Sequence, residues 1–133
     1  MSAEVAYLDT SAFVKLLVEE PESAALRSAL EPWAAFASSL LLRTETLRAL
    51  HRSGNAQLIG RARRLLGAVN LIAMDVPLAD RAGELAPPQM RSLDAIHLAS
   101  ALSLGTELGV LVAYDERLVT AAVTQGIPVA SPS

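Results

Sequence analysis

The chain has 133 residues, of which 52% are hydrophobic, with a mean hydropathy of +0.37 and a formal charge of −3. That length suits one domain, residues 1–133, with a core of its own, and the absence of cysteine excludes disulfides and thiolate chemistry. Charged residues, Pro or Gly break every apolar stretch before it reaches the ~18–20 residues of a membrane span. The opening MSAEVAYLD holds Glu4 and Asp9 and no basic start. No export signal is expected, and a cytoplasmic address is the default.

In chain order, VAYL (5–8) is a short apolar run that reads as a buried strand, followed by Thr10 and Ser11 as helix-start residues. SAFVKLLVEE has helical spacing up to Pro21, which suits the first turn of a second helix, PESAALRSALE. WAAFAS (33–38) reads as a strand, and SLLLRTETLRALHRSG as a helix stopped by Gly54. NAQLIGRARRLLGAV is a further helix, NLIAMDV a strand, and PLADRAGELA a helix that Pro87 and Pro88 end. SLDAIHLASALSLG is apolar on nearly every side and is expected to be buried. The strand GVLVAY, the helix DERLVTAAVTQG and the short strand IPVAS complete the chain, with Ser-Pro-Ser as a tail.

Short strands alternating with helices predict a three-layer α/β domain, a central parallel sheet of about five strands covered on both faces. Ligands of such sheets bind beyond the carboxyl ends of the strands, where the strand order reverses.

Four acids stand out by position. Asp9 ends the first strand and Asp115 follows GVLVAY, so the two share a rim if those strands are neighbours. Asp94 lies in the first turn of the buried helix. Glu45 has Leu41, Leu42 and Ala49 at neighbouring helical positions and interrupts an apolar stripe. Each aspartate has a plainer reading as a cap or as a favourable charge at a helix N-terminus, whereas a mid-helix glutamate among leucines has no capping role.

The basic residues cluster. Arg43, Arg48, Arg52, Arg61, Arg63 and Arg64 are six of the eleven, opposed in that stretch only by Glu45. They form either solvated helix faces or a positive stripe that follows a phosphate backbone.

YLDTSAFVKLLVEE, LLLRTETLRAL, RSLDAIHLASAL and VAYDERLVTAA with GIPVASP behind it resemble a PIN domain. More closely, they resemble the VapC toxins of bacterial toxin–antitoxin pairs. The likeness runs from near Tyr7 to Pro132. It implies a Rossmann-like sheet and RNA cleavage with Mg²⁺ or Mn²⁺. The family's acids fall on Asp9, Glu45, Asp94 and Asp115, and the supporting small polar residue on Ser11. Asp9 and Asp94 are then the main metal ligands. Glu45 and Asp115 hold a second ion or orient water.

Oxygen ligands without cysteine suit a hard ion over zinc. One departure is Ala113, where many members carry Ser or Thr two residues before the last acid. The resemblance also implies a VapB-like antitoxin, a homodimer, and a heterotetramer or larger assembly with that antitoxin. Arg48, Arg52, Arg61 and Arg64 are candidate contacts for RNA or the antitoxin.

An alternative is a catalytically weak PIN module that binds RNA or a protein. A phosphoacceptor domain fits poorly, because the first strand ends on one acid only and the sole lysine is Lys15. His97 is expected to be packed or hydrogen-bonded in place of shuttling protons. Tyr114 is expected to pack in place of stacking on a base, and Trp33 is uninformative.

Overall fold

The computed structural model describes residues 4–133. Five strands, β1 (Val5–Leu8), β2 (Ala35–Ser39), β3 (Asn70–Ile72), β4 (Leu108–Val112) and β5 (Val129–Ala130), form one parallel sheet in the order β3-β2-β1-β4-β5. Seven α-helices cover it: α1 (Thr10–Lys15), α2 (Ser23–Leu30), α3 (Leu41–Arg52), α4 (Ile59–Leu66), α5 (Val76–Glu84), α6 (Ser92–Leu102) and α7 (Glu116–Thr124). This is the predicted three-layer architecture.

The period-2 geometry of a strand divides the core. Ala6 and Leu8 of β1 and Val110 and Val112 of β4 join Phe13, Leu26, Leu42, Leu50 and Leu66 on the face covered by α1–α4. The residues between them, Tyr7 and Leu111, join Leu98, Ala101, Leu118 and Ala122 of α6 and α7 on the other face. Both faces of the central strands are therefore dry, which is why their sequences read as continuous apolar runs. A smaller cluster of Leu78, Ala82, Ala95 and Ala99 seats α5 on α6.

Several elements are shorter than their patterns predict. The helix expected through Glu20 stops at Lys15, because the buried Ser23 hydroxyl donates to the Lys15 carbonyl at 2.7 Å and accepts from the Glu20 N–H at 2.9 Å. Lys15 bridges Glu20 and Glu22 at 3.0 Å each, which holds the same bend. The strand expected over NLIAMDV keeps only Asn70–Ile72. It is an edge strand, and Asp75 leaves the sheet to cap α5, accepting from the Leu78 N–H at 3.0 Å. Gly54 ends α3 as predicted. Its φ of 76° lets Gly54 N–H reach the His51 carbonyl and Asn55 N–H the Leu50 carbonyl, a Schellman turn.

The last residues are more than a tail. Ser131 Oγ donates to the Ala113 carbonyl at 2.5 Å and the Tyr114 hydroxyl to the Pro132 carbonyl at 2.7 Å, which fastens the chain end to the segment after β4. Among the described residues no helix is long and apolar enough to cross a membrane.

Candidate active site

The strand order reverses between β1 and β4. The crossovers from β1 and β2 run under one face, those from β3 and β4 over the other, and the loops leaving β1 and β4 diverge. In open parallel sheets this divergence forms a crevice at the carboxyl edge, where ligands bind. Asp9 follows β1 directly, and its N–H donates to the Val112 carbonyl at the end of β4 at 3.2 Å. Asp115 comes three residues after β4, Glu45 from the first half of α3, and Asp94 from the first turn of α6. All four predicted acids thus meet at the reversal. Asp9 feels the negative charge of Asp115, and Asp94 feels those of Asp115 and Glu45.

Asp9 is a helix cap and at the same time a carboxylate placed at the reversal. Its Oδ1 accepts the Ala12 N–H at 2.9 Å and so starts α1. Ser11 Oγ lies 2.7 and 2.8 Å from the two carboxylate oxygens, the supporting contact expected of it. Ser11 also accepts the Tyr114 N–H at 3.0 Å, so one hydroxyl links the ends of β1 and β4. Asp9 is only 4% exposed. Burial pushes its carboxyl up to about 6, against the lowering by Ser11 and the Ala12 N–H.

Asp94 is half-buried and accepts no protein hydrogen bond among the described residues. Burial first, and then the Asp115 charge, raise its carboxyl above the ordinary range. Asp115 is exposed and caps α7 with one oxygen, Oδ1, which accepts the Arg117 and Leu118 N–H groups at 2.9 and 3.2 Å; Oδ2 has no such partner.

Glu45 is held in the same one-sided way. Its Oε1 takes the Thr10 hydroxyl at 2.5 Å and His97 Nε2 at 2.8 Å. Burial pushes this carboxyl up, but the hydrogen bonds from His97 and Thr10 outweigh it and keep the group below the usual range. Three acids are thus each anchored by the protein, and Asp94 is free on both oxygens.

The methyl of Ala113, where a hydroxyl is missing, is fully buried in the cluster of Tyr7, Leu98 and Leu118. Tyr114 packs, as expected: it is half-buried, with Lys15 Nζ 4.7 Å above its ring.

Two participants are invisible in the linear pattern. Thr10, read only as a helix-start residue, reaches Glu45 35 positions away. Tyr7 sends its hydroxyl to His97 Nδ1 at 2.8 Å. The one available signal was a phenol in an otherwise aliphatic strand, which needs a buried partner.

The arginines form no ion pair with the four acids among the described residues. Arg48 and Arg52 follow Glu45 at i+3 and i+7 along α3 and are exposed. Arg61 and Arg64 of α4 line a shallow cleft of about 380 Å³ with Leu16, Leu65 and Ala68. None of the six arginines between Arg43 and Arg64 has a carboxylate partner among the described residues.

Among the described residues, no three His, Asp or Glu side chains converge tightly enough to enclose a metal ion unaided. Carboxylates with free oxygens, two of them raised by burial and mutual repulsion, nevertheless match a hard divalent cation that keeps much of its water. Asp9 and Asp94 could hold such an ion, with Glu45 and Asp115 reaching it through water.

An acid rim at the β1–β4 reversal of a small parallel sheet covered on both faces marks an open three-layer α/β domain with its candidate site at the carboxyl edge. A PIN-domain profile matches residues 6–123. Ribonuclease VapC46 of Mycobacterium tuberculosis is 48% identical over 128 residues, which cover 96% of this chain and 97% of that protein. The chain belongs to the PIN-domain family, in its VapC branch.

Two solved structures share the fold. VapBC2 from Rickettsia felis, bound to a DNA fragment from its promoter, has a TM-score of 0.73 at 15% identity, covering 97% of this chain and 99% of the other. VapC20 of Mycobacterium tuberculosis, described as a sarcin–ricin loop-cleaving toxin, has a TM-score of 0.72 at 18% identity, covering 87% and 94%.

Proposed function

We propose that this chain is an endoribonuclease toxin that hydrolyses RNA with Mg²⁺ or Mn²⁺ and is held in check by a VapB-like antitoxin. The observation that carries the reading is the meeting of Asp9, Glu45, Asp94 and Asp115 at the point where the strand order reverses. Membership of the VapC branch supports the substrate class, because relatives of that branch are named ribonucleases. The R. felis VapBC2 complex supports an antitoxin partner. A homodimer, and a heterotetramer or larger with the antitoxin, belong to the same proposal.

A bound Mg²⁺ would supply positive charge for a phosphate oxygen and would lower the pKa of coordinated water. Asp9 and Asp94 would be its main ligands. Asp9 is suited to the role because Ser11 and the Ala12 N–H fix its carboxylate before any ligand arrives. Asp94 is suited because its oxygens are uncommitted. Glu45 and Asp115, each tied back by one oxygen, present the other to water at the rim or to a second ion. Since water is the nucleophile, the 2′-hydroxyl is not consumed, and preference for RNA rests on shape and surface contacts.

The test uses protein freed of any co-purifying partner, incubated with total RNA in Mg²⁺, Mn²⁺ or EDTA, with the 5′ ends of the fragments mapped. Discrete cuts that EDTA abolishes are expected. A folded, metal-loaded protein that leaves every RNA intact would overturn the assignment.

The arginines are assigned to RNA, with the antitoxin as a second user. Arg61→Glu combined with Arg64→Glu is expected to weaken RNA binding and reduce the slope of log affinity against log salt by roughly 1–2. Circular dichroism of the variant should match the parent, since both side chains are exposed. An unchanged slope removes that face from RNA contact.

A further inference from the structure

We propose that His97 is a positioning residue that aims Glu45 into the site, with the Tyr7 hydroxyl fixing the ring from behind. The inference rests on the nuclease reading only in its view of what Glu45 is aimed at. His97 is 3% exposed and Tyr7 fully buried, so this pair lies beneath the rim and cannot itself meet RNA. Glu45, at 20% side-chain exposure, is the member that reaches the crevice.

An ionised carboxylate only accepts hydrogen bonds. His97 Nε2, 2.8 Å from Glu45 Oε1, must therefore carry the ring hydrogen that points there. Thr10 Oγ1 donates to the same oxygen and stands 3.3 Å from Nε2, so Oε1 is gripped from two sides. Oε2 has no partner among the described residues and is the oxygen presented to the rim.

At the other end of the ring, Nδ1 is 2.8 Å from the Tyr7 hydroxyl, and the two rings meet edge to face at 82°. Tyr7 sits on β1, which is paired on both sides by β2 and β4. The relay thus references the Glu45 carboxylate to the central strand of the sheet. A histidine on an apolar helix need not do anything; one whose two nitrogens are both committed, one of them to a site carboxylate, sets an orientation. Partners of this kind, behind a ligand, commonly change metal affinity or activity 10–100-fold when removed.

The experiment compares His97→Gln, whose amide N–H can replace Nε2–H, with His97→Leu, which fills the space without a donor. Mn²⁺ affinity of the metal-free protein and RNA cleavage are measured for both, alongside Tyr7→Phe. His97→Gln is expected within about threefold of the parent, and His97→Leu 10–100-fold weaker in Mn²⁺ affinity and in kcat, with KM for RNA little changed. Tyr7→Phe should fall between them. The ¹⁵N spectrum of the metal-free parent should show the hydrogen on Nε2 of His97.

Equal behaviour of the Gln and Leu variants, whether both intact or both lost, overturns the proposal, as does a hydrogen on Nδ1 alone. If the parent binds Mn²⁺ yet cuts no RNA, the nuclease reading fails. The gap between Gln and Leu in Mn²⁺ affinity still decides the role of His97.

Discussion

Asp94→Asn is expected to reduce RNA cleavage by at least about 10³-fold while leaving the protein folded and no less stable. Asp94 is the one acid of the rim that accepts no hydrogen bond from the protein among the described residues, so its side chain contributes little to holding the fold. Its carboxyl is raised by burial and by the neighbouring charge of Asp115, which means that as a carboxylate it sits in an unfavourable field. Asparagine keeps the shape and removes one of the mutually repelling charges. The melting temperature without metal should therefore hold or rise.

Activity is a different matter. A ligand that helps place positive charge against a phosphoryl group accounts for several kcal/mol of transition-state stabilisation, and each 1.36 kcal/mol is tenfold in rate. Cleavage assays with mapped fragment ends, run beside thermal melts, read both quantities. Activity within tenfold of the parent would remove Asp94 from the centre of the site.

The second large effect concerns stability and pH. Asp9 has a native pKa of about 6, where an ordinary aspartate has 3.8. Between those two values the native state holds more protons than the unfolded one, so stability falls as pH rises through that window. Well below 3.8 the aspartate is protonated in both states and imposes nothing. Above about 6 it is ionised in both, and the native state bears the full cost, about 3 kcal/mol.

Asp9→Asn keeps a residue that can cap α1 and removes the buried charge. Without metal, the variant should be more stable than the parent by up to about 3 kcal/mol at pH 7.5, with the difference vanishing at about pH 3. Saturating Mn²⁺ should stabilise the parent and leave the variant nearly unmoved, because only the parent has the charge to compensate. Urea unfolding at the two pH values, with and without Mn²⁺, measures this. A variant less stable than the parent at pH 7.5 without metal would mean that Asp9 serves mainly as a cap.

How legible this was from the sequence depends on the range of each interaction. The layers, the parallel sheet and the place of the acids follow from local patterns: VAYL and GVLVAY are apolar runs too short for helices, and each is followed by an acid. The reversal of strand order that brings Asp9 and Asp115 to one rim was a condition at the sequence level and is a fact of the fold. Element lengths were read less well where a tertiary bond intervenes. Nothing in SAFVKLLVEE announces that Ser23, still ahead in the chain, takes the Lys15 carbonyl and ends the helix.

The support behind Glu45 escaped for the same reason. Thr10 and Tyr7 carry ordinary local roles, as a helix-start residue and a strand aromatic. Their further partners lie 35 and 90 positions away. A site's acids announce themselves by interrupting apolar patterns, whereas the groups that aim them satisfy those patterns.

The central pairing of β1 with β4 has a bearing on manufacture. A ribosome makes Asp9 and Glu45 well before it makes β4 and Asp115. Until β4 arrives, β1 has no strand on that side, the Val112 carbonyl that receives the Asp9 N–H does not exist, and the crevice has one wall. A growing chain therefore carries Asp9, Glu45 and Asp94 before the strand that completes their surroundings exists. The four acids come to one rim only with the docking of that strand.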